Sequence, residues 1–325
     1  MKIVFFGTPE FAVPTLESLA KETEVLCVVT QPDKKVGRKQ ELTPSPVKIS
    51  AKKLGIKVIQ PKNKKELKEE LKNIEADFFV VLAFGMILDK EILEIPKHGC
   101  INIHASLLPR YRGASPIQEA LLNGDKDTGI SIMKMDEKLD QGPVYLLQRI
   151  EIEDLDDMET LSKKLQTLSA KITPLVLTDI KEKTLYPLKQ IESKATYCRK
   201  IEKKDGEINW DLPAEKIYNM IRAYNPWPSA QTKFKDKKIK ILEAKLEKKE
   251  GKTTPGKFFT ESGILKISAK NGNILPKKLQ IEGKKEMSDK EFLNGYKTQI
   301  ESPESVGLGQ TCLQESYKNR ARQSP

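Results

Sequence analysis

Ala76-Asp77-Phe78-Phe79-Val80-Val81-Leu82-Ala83-Phe84 is nearly continuous in apolar residues, the composition of a strand covered on both faces of a sheet. Before it, Ile3–Gly7 is a short apolar run ended by Gly7-Thr8-Pro9, and Phe11–Leu19 reads as a helix. Glu24–Thr30 is rich in β-formers, Pro46–Leu54 reads as a helix, Lys57–Gln60 as a short strand and Lys64–Lys72 as an exposed helix. After it, Cys100–His104 is another strand-like run, Ser115–Leu122 a helix, Gly129–Met135 and Val144–Ile152 a pair of strands, and Met158–Ile180 a long helix. Repeated strand–helix–strand spacing predicts an α/β fold, a Rossmann-like, doubly wound, mostly parallel sheet with helices on both faces.

Beyond Tyr186–Asp205 the pattern changes. Gln231–Phe234, Lys238–Leu246, Gly256–Thr260, Gly263–Ala269 and Ile274–Ile281 are short β-type runs separated by Gly, Asn and Lys-rich turns. Five such strands predict a small OB-like β-barrel. Ser288–Gly295 fits a closing helix, capped by Ser288 with Glu291 three residues on. The expected organisation is a first domain over 1–185, a linker over 186–206, a second domain over 207–300, and a disordered tail over 301–325.

The chain has 325 residues, enough for about two domains. No stretch approaches the ~20 apolar residues of a membrane span, and the opening Met1-Lys2-Ile3-Val4-Phe5-Phe6-Gly7 reads as a strand rather than a signal peptide. The four cysteines, Cys27, Cys100, Cys198 and Cys312, form no CxxC pair, which argues against a disulfide framework or a structural zinc and points to a cytoplasmic protein. The net charge is +11 and is unevenly placed: Met1–Gln190 holds 29 basic and 28 acidic residues, Ile191–Pro325 holds 28 and 18. A surface so biased suits an acidic polymer, nucleic acid first among them.

The glycine turn after the first strand invites a dinucleotide reading and fails it. Pro9 stands where the pyrophosphate fingerprint needs its second glycine, and proline has no N–H to offer a phosphate. The dense region is instead Ile101-Asn102-Ile103-His104-Ala105-Ser106-Leu107-Leu108-Pro109-Arg110-Tyr111-Arg112-Gly113. Strand alternation puts Asn102 and His104 on one face, at the carboxyl end where open α/β sheets place ligands. An amide and an imidazole there can converge on one carbonyl oxygen. Asp136, Glu137 and Asp140 are candidate carboxylate partners for His104, with Asp140-Gln141-Gly142 forming a tight turn.

No nucleophile is evident. There is no G-x-S-x-G elbow, and Cys100 lies roughly 13 Å along the strand from His104. Two histidines, His98 and His104, without an HExxH pattern leave no basis for a catalytic metal. The expected chemistry is therefore transfer of an acyl-type group to an amine supplied by the substrate, with the protein orienting and polarising. The polar loop Gln31-Pro32-Asp33-Lys34-Lys35-Val36-Gly37-Arg38-Lys39 is too long and basic for a minimal connector. Asn225-Pro226-Trp227-Pro228 is read as packing at a domain junction, with base stacking as its alternative.

The strings Phe6-Gly7-Thr8-Pro9-Glu10-Phe11-Ala12, His104–Gly113, Asp140-Gln141-Gly142 and Asn225-Pro226-Trp227-Pro228 resemble, in order and spacing, the methionyl-tRNA formyltransferases, a branch of the 10-formyltetrahydrofolate-dependent formyltransferase family. The likeness runs from Met1 to about Lys297; the tail after Lys297 departs from the family's usual ending. The resemblance implies that Asn102, His104 and Asp140 are catalytic, and that Ser106, Leu107, Leu108 and Pro109 line the site of 10-formyltetrahydrofolate, a co-substrate. It implies that Arg38, with Lys34, Lys35 and Lys39, belongs to a loop that enters the acceptor end of methionyl initiator tRNA. No metal is implied, and a monomer is expected. Two rivals remain: a formyltransferase acting on a small amine (phosphoribosyl-glycinamide or an amino sugar nucleotide), and a non-catalytic RNA-binding protein on the same scaffold.

Overall fold

The structure, a computed structural model, describes residues 1–37, 40–248 and 254–300. The chain divides into two compact units, one of Met1–Ala120 and Asp125–Lys200, the other of Leu121–Gly124 and the residues from Ile201 on.

The first unit contains strands β1 (Lys2–Gly7), β2 (Glu24–Val29), β3 (Lys34–Val36), β4 (Glu41–Thr43), β5 (Val58–Ile59), β6 (Phe78–Leu82), β7 (Cys100–His104), β8 (Arg112–Gly113), β9 (Asp127–Lys134), β10 (Val144–Glu151) and β11 (Tyr197–Cys198). Its helices are α1 (Val13–Glu22), α2 (Pro46–Lys53), α3 (Lys64–Leu71), α4 (Lys90–Leu93), α5 (Pro116–Asn123) and α6 (Met158–Lys181). The main sheet runs β10-β9-β7-β6-β1-β2-β5. Its five strands from β7 to β5 are parallel, while β9 and β10 add antiparallel at one edge. All five residues of β6 are buried, as its unbroken apolar sequence requires.

Alternation divides the sheet's side chains between two cores. Val4, Phe6, Cys27, Val29, Phe79, Val81 and Cys100 face Leu67 and Leu71 of α3 and Ile92 of α4. On the other side α1 and α6 pack together, joined by Thr15 Oγ1 to Ser169 Oγ at 2.8 Å and by the Ser18 hydroxyl donating to the Ala170 carbonyl at 2.7 Å. The helices begin where their caps stand. Ser45, Asn63 and Asp157 each accept a backbone N–H of the first turn of α2, α3 and α6. Chain order reverses between β1 and β6, so both strands point their carboxyl ends at one crevice.

The second unit has β12 (Ala230–Phe234), β13 (Lys237–Lys248), β14 (Phe258–Glu261), β15 (Ile264–Ala269), β16 (Gly272–Ile281) and β17 (Glu286–Ser288), with helices α7 (Ala214–Tyr224) and α8 (Asp289–Tyr296). These strands pair antiparallel, in the order β12-β13-β16-β15-β14 with β17 on β16. The expected box at α8 is present: Ser288 Oγ accepts the Glu291 N–H and Glu291 Oε2 accepts the Ser288 N–H. Phe292, fully buried, fixes this helix against Phe234 and Phe258, with ring centroids 5.3 and 6.4 Å apart. Lys266 is buried between Glu247 at 2.6 Å and Glu261 at 2.5 Å, which satisfies its charge inside the sheet.

One expectation needs revision. Residues 186–200, read as the greater part of a linker, fold onto the first unit: Leu188 bridges Val144, and Tyr197–Cys198 pairs with Arg112–Gly113. The tail 301–325, expected to be disordered, lies outside the described residues, as does Cys312.

Candidate active site

Strand β7 ends in Asn102-Ile103-His104, with Ile103 turned to the apolar interior and Asn102 and His104 sharing the opposite face. The turn leaving β9 returns Asp140 to that face. Asn102 Nδ2 donates to Asp140 Oδ1 at 3.3 Å, and His104 Nδ1 lies 3.7 Å from Asp140 Oδ2. His104 Nε2 is 2.9 Å from the carbonyl oxygen of Tyr111. A carbonyl only accepts, so Nε2 carries the proton in that bond and Nδ1 is the ring atom presented to Asp140. Asp136 and Glu137, the other candidate partners, are exposed.

Asp140 adopts φ +51, in the left-handed region that non-glycine residues seldom occupy. Three contacts hold it. The Gly113 N–H donates to Oδ2 at 2.9 Å, and Gln190 Nε2 donates at 2.8 Å to the carbonyls of both Asp140 and Gly142. Glycine is needed at 142 for a steric reason: a Cβ there would stand 1.9 Å from the Lys134 carbonyl oxygen. The same holds at Gly113, whose Cβ would meet the Cys198 carbonyl oxygen at 2.1 Å.

Behind this turn lies Arg112, fully buried. It donates from Nε and Nη2 to Gln190 Oε1 at 3.1 and 3.0 Å, from Nη1 and Nη2 to the two carboxylate oxygens of Glu192 at 2.9 Å each, and from Nη1 to the Tyr197 hydroxyl at 3.0 Å. The hydrogen-bonded Glu192 carboxylate raises the pKa of Arg112, and the Arg112 guanidinium lowers that of Glu192. Arg112 and Gly113 stand in the dense string already singled out; Gln190, Glu192 and Tyr197 carried no sequence signal beyond their polarity.

The loop after His104 is held by its own backbone. Ser106 Oγ donates to the Arg110 carbonyl at 2.6 Å, Ser131 Oγ donates to the Ser106 carbonyl at 2.5 Å, and the Leu108 N–H donates to Ser131 Oγ at 3.0 Å. Ser106 is fully buried, and Leu108 is buried with Met133 and Val144. Of the four residues expected to line a folate site, Leu107 and Pro109 keep exposed surface. A cavity of about 660 Å³ opens at the other end of β7, lined by Lys97, His98, Lys134, Tyr145 and Tyr186 among others; Asn102, His104 and Asp140 are not part of it.

The basic loop is a hairpin of β3 on β4. Lys48 Nζ donates to both oxygens of Asp33 at 2.8 and 2.7 Å, and Gln60 Nε2 donates to Asp33 Oδ1 at 2.8 Å. These hydrogen bonds hold the Asp33 carboxyl below its ordinary range. Lys34 and Lys35 are exposed on β3, whereas Arg38 and Lys39 lie outside the described residues.

The arrangement suits polarisation rather than nucleophilic attack by the protein. Burial pushes the thiols of Cys27 and Cys100 up to about 11 and about 12, which leaves them un-ionised near neutrality. No group of three metal-ligating side chains occurs among the described residues. No helix among them is long and apolar enough to cross a membrane.

Comparison with known proteins adds an independent line. The family model described as formyl transferase matches residues 1–177, and that of the formyl transferase C-terminal domain matches residues 200–297. The methionyl-tRNA formyltransferase of Caldicellulosiruptor saccharolyticus is 50% identical over 308 residues, covering 91% of this chain and 97% of that protein. The protein of the same name from Thermodesulfovibrio yellowstonii is 45% identical over 298 residues, covering 91% and 96%. Among solved structures, the sugar 3-N-formyltransferase WlaRD, crystallised in the presence of dTDP and 5-N-formyl-tetrahydrofolate, shares the fold with a TM-score of 0.64 at 22% identity, over 88% of this chain and 99% of that one. The paired Asn102 and His104, the returning Asp140 turn and both matched domains lead to one conclusion: this chain belongs to the formyl transferase family.

Proposed function

We propose that this protein transfers the formyl group of 10-formyltetrahydrofolate to the free amino group of methionyl initiator tRNA, in the cytoplasm and as a monomer. The observation that carries the chemistry is the convergence of Asn102 Nδ2 and His104 Nδ1 on Asp140. The relatives' name, at 50 and 45% identity over nine-tenths of the chain, supports the substrate pair.

The deprotonated methionyl amine attacks the formyl carbon and a C–N bond forms. Asn102 through Nδ2 and His104 through an Nδ1–H donate to the oxygen as negative charge develops there, and Asp140 orients both donors. The bond from that carbon to N10 then breaks, and N10 takes up a proton in place of the one the amine has lost. Transfer is direct, with no acyl-enzyme. Holding the two substrates in line contributes ~7–11 kcal/mol, and each aimed donor ~3. Leu107 and Pro109 offer their exposed surface to the folate, with Ser106 and Leu108 shaping the loop beneath them. Lys34, Lys35, Arg38 and Lys39 meet the acceptor end of the RNA, and the basic second domain meets phosphates.

The protein is incubated with 10-formyltetrahydrofolate and, separately, methionyl initiator tRNA, methionyl elongator tRNA and small amines, and formyl transfer is followed. Product is expected on the initiator RNA. Transfer to a small amine alone establishes the small-molecule rival, and RNA binding without transfer establishes the non-catalytic one. Because Lys and Arg contacts to phosphate displace counterions, KM for tRNA should rise ~10-fold or more between about 50 and about 200 mM salt, with KM for the folate nearly constant. A flat response for tRNA removes the phosphate-binding role.

A further inference from the structure

We propose that Gln190 is a positioning residue of this active site, and that Gln190–Cys198 belongs to the catalytic apparatus instead of serving as a tether. The proposal rests on the roles given above to Asn102, His104 and Asp140.

The Asp140 turn is a strained element in an exposed, polar surround. Asp140 has φ +51, and Asp136 to Leu139 before it are exposed. A backbone of this kind keeps one geometry only when its surroundings over-determine it. Gln190 supplies that determination from one side chain, since its two amide hydrogens reach the carbonyls of Asp140 and Gly142, each at 2.8 Å.

A glutamine amide turns easily about its last bond unless both ends are engaged. Here the oxygen end is fixed by two donors of Arg112. Arg112 is in turn clamped by Glu192 through two parallel hydrogen bonds and by Tyr197. Order therefore passes from Glu192 and Tyr197 through Arg112 and Gln190 to the Asp140 turn. Among the described residues, no hydrogen bond or ion pair joins Gln190, Glu192 or Tyr197 to His104 or Asn102.

The same segment also holds the other side of the histidine. Thr196 Oγ1 accepts the Tyr111 N–H at 2.9 Å, and the Thr196 N–H donates to the Pro109 carbonyl at 3.2 Å. Tyr111, at φ +59, is the residue whose carbonyl fixes His104 Nε2. One stretch of chain thus sets both partners of the imidazole: Asp140 through Gln190, and Tyr111 through Thr196.

The decisive variant is Gln190→Glu, which keeps the shape and an acceptor for Arg112 while turning a carboxylate oxygen toward two carbonyls. It is expected to lower kcat by roughly 10- to 100-fold, the range a displacement of about 1 Å produces, with KM for folate and tRNA changed by less than about twofold. In an Asp140→Asn background the same substitution should lower kcat by less than about twofold, because its effect runs through that carboxylate. Should Gln190→Glu not fold by circular dichroism, Gln190→Asn supplies the comparison: it retains the amide but falls a methylene short of the turn. An equal loss in both backgrounds marks a general structural role and overturns the proposal. Normal turnover of Gln190→Glu beside an inactive His104→Ala overturns it while leaving the catalytic reading standing. Normal turnover of His104→Ala removes the catalytic reading, and the proposal falls with it.

Discussion

Replacing His104 with alanine is expected to lower kcat by two or more orders of magnitude while leaving tRNA affinity within about twofold. The imidazole is buried, 6% exposed, and its ring is fixed by the bond from Nε2 to the Tyr111 carbonyl at 2.9 Å, with Nδ1 3.7 Å from Asp140. Nδ1 is then the ring atom left to meet a developing oxyanion from a fixed position, which is where such donors act most strongly; loss of one donor costs ~3 kcal/mol, or 10²–10³ in rate. The basic surface proposed to meet phosphates is unaltered by the change, so filter binding of tRNA separates the two effects. The change also removes the imidazole's bond to the Tyr111 carbonyl, which the Cys198 thiol still reaches at 3.4 Å, at a cost of ~0.5–1.5 kcal/mol in stability. Single-turnover kinetics at saturating tRNA check the prediction, and near-wild-type turnover rejects the role given to His104.

Replacing Arg112 with alanine is expected to be the costliest single change to the stability of the first unit among those discussed. A fully buried guanidinium is tolerable only when its donors are answered, and all of its nitrogens are engaged by Gln190, Glu192 and Tyr197. Truncation opens a large cavity and leaves the Gln190 oxygen without a donor. Roughly 3 kcal/mol or more is expected, or a fall of about 6–12 °C in Tm for a unit of this size. Arg112→Lys should recover little of it, because one ammonium cannot address three partners held in a planar fork. Thermal melts of the three proteins measure this, and a variant melting within about 2 °C of wild type contradicts it. A control is Lys126→Ala, whose ion pair with Asp154 is exposed on both sides and should not shift Tm measurably.

Much of this was legible from residue pattern. The apolar run in β6 and the alternation in β7 located the sheet and put Asn102 and His104 on one face, because burial on two sides imposes a pattern that local sequence must carry. The box at Ser288 and Glu291 was visible for the same reason, its chemistry being local. Helix α7 also carries a helical stripe, Ala214, Ile217, Met220, Ile221 and Tyr224, which could have been found. The β3–β4 hairpin could not, since its lysines follow no period and its root depends on Lys48 and Gln60 from elsewhere. Least legible was Gln190–Cys198. Its side chains answer partners 50 to 80 or more positions away, so nothing in its own composition separates it from a polar connector.

The root of the β3–β4 arm has a further consequence. Thr30 and Ser45, where the excursion leaves and rejoins the body, are joined hydroxyl to hydroxyl at 2.7 Å, and Asp33 is tied to Lys48 a little farther out. Lys48 thus has its charge answered within the fold, whereas Lys34 and Lys35 offer theirs to the solvent. An arm stapled where it departs and where it lands has already surrendered part of the freedom a dangling segment would lose on meeting an anion. A larger share of each lysine's attraction is then retained as affinity.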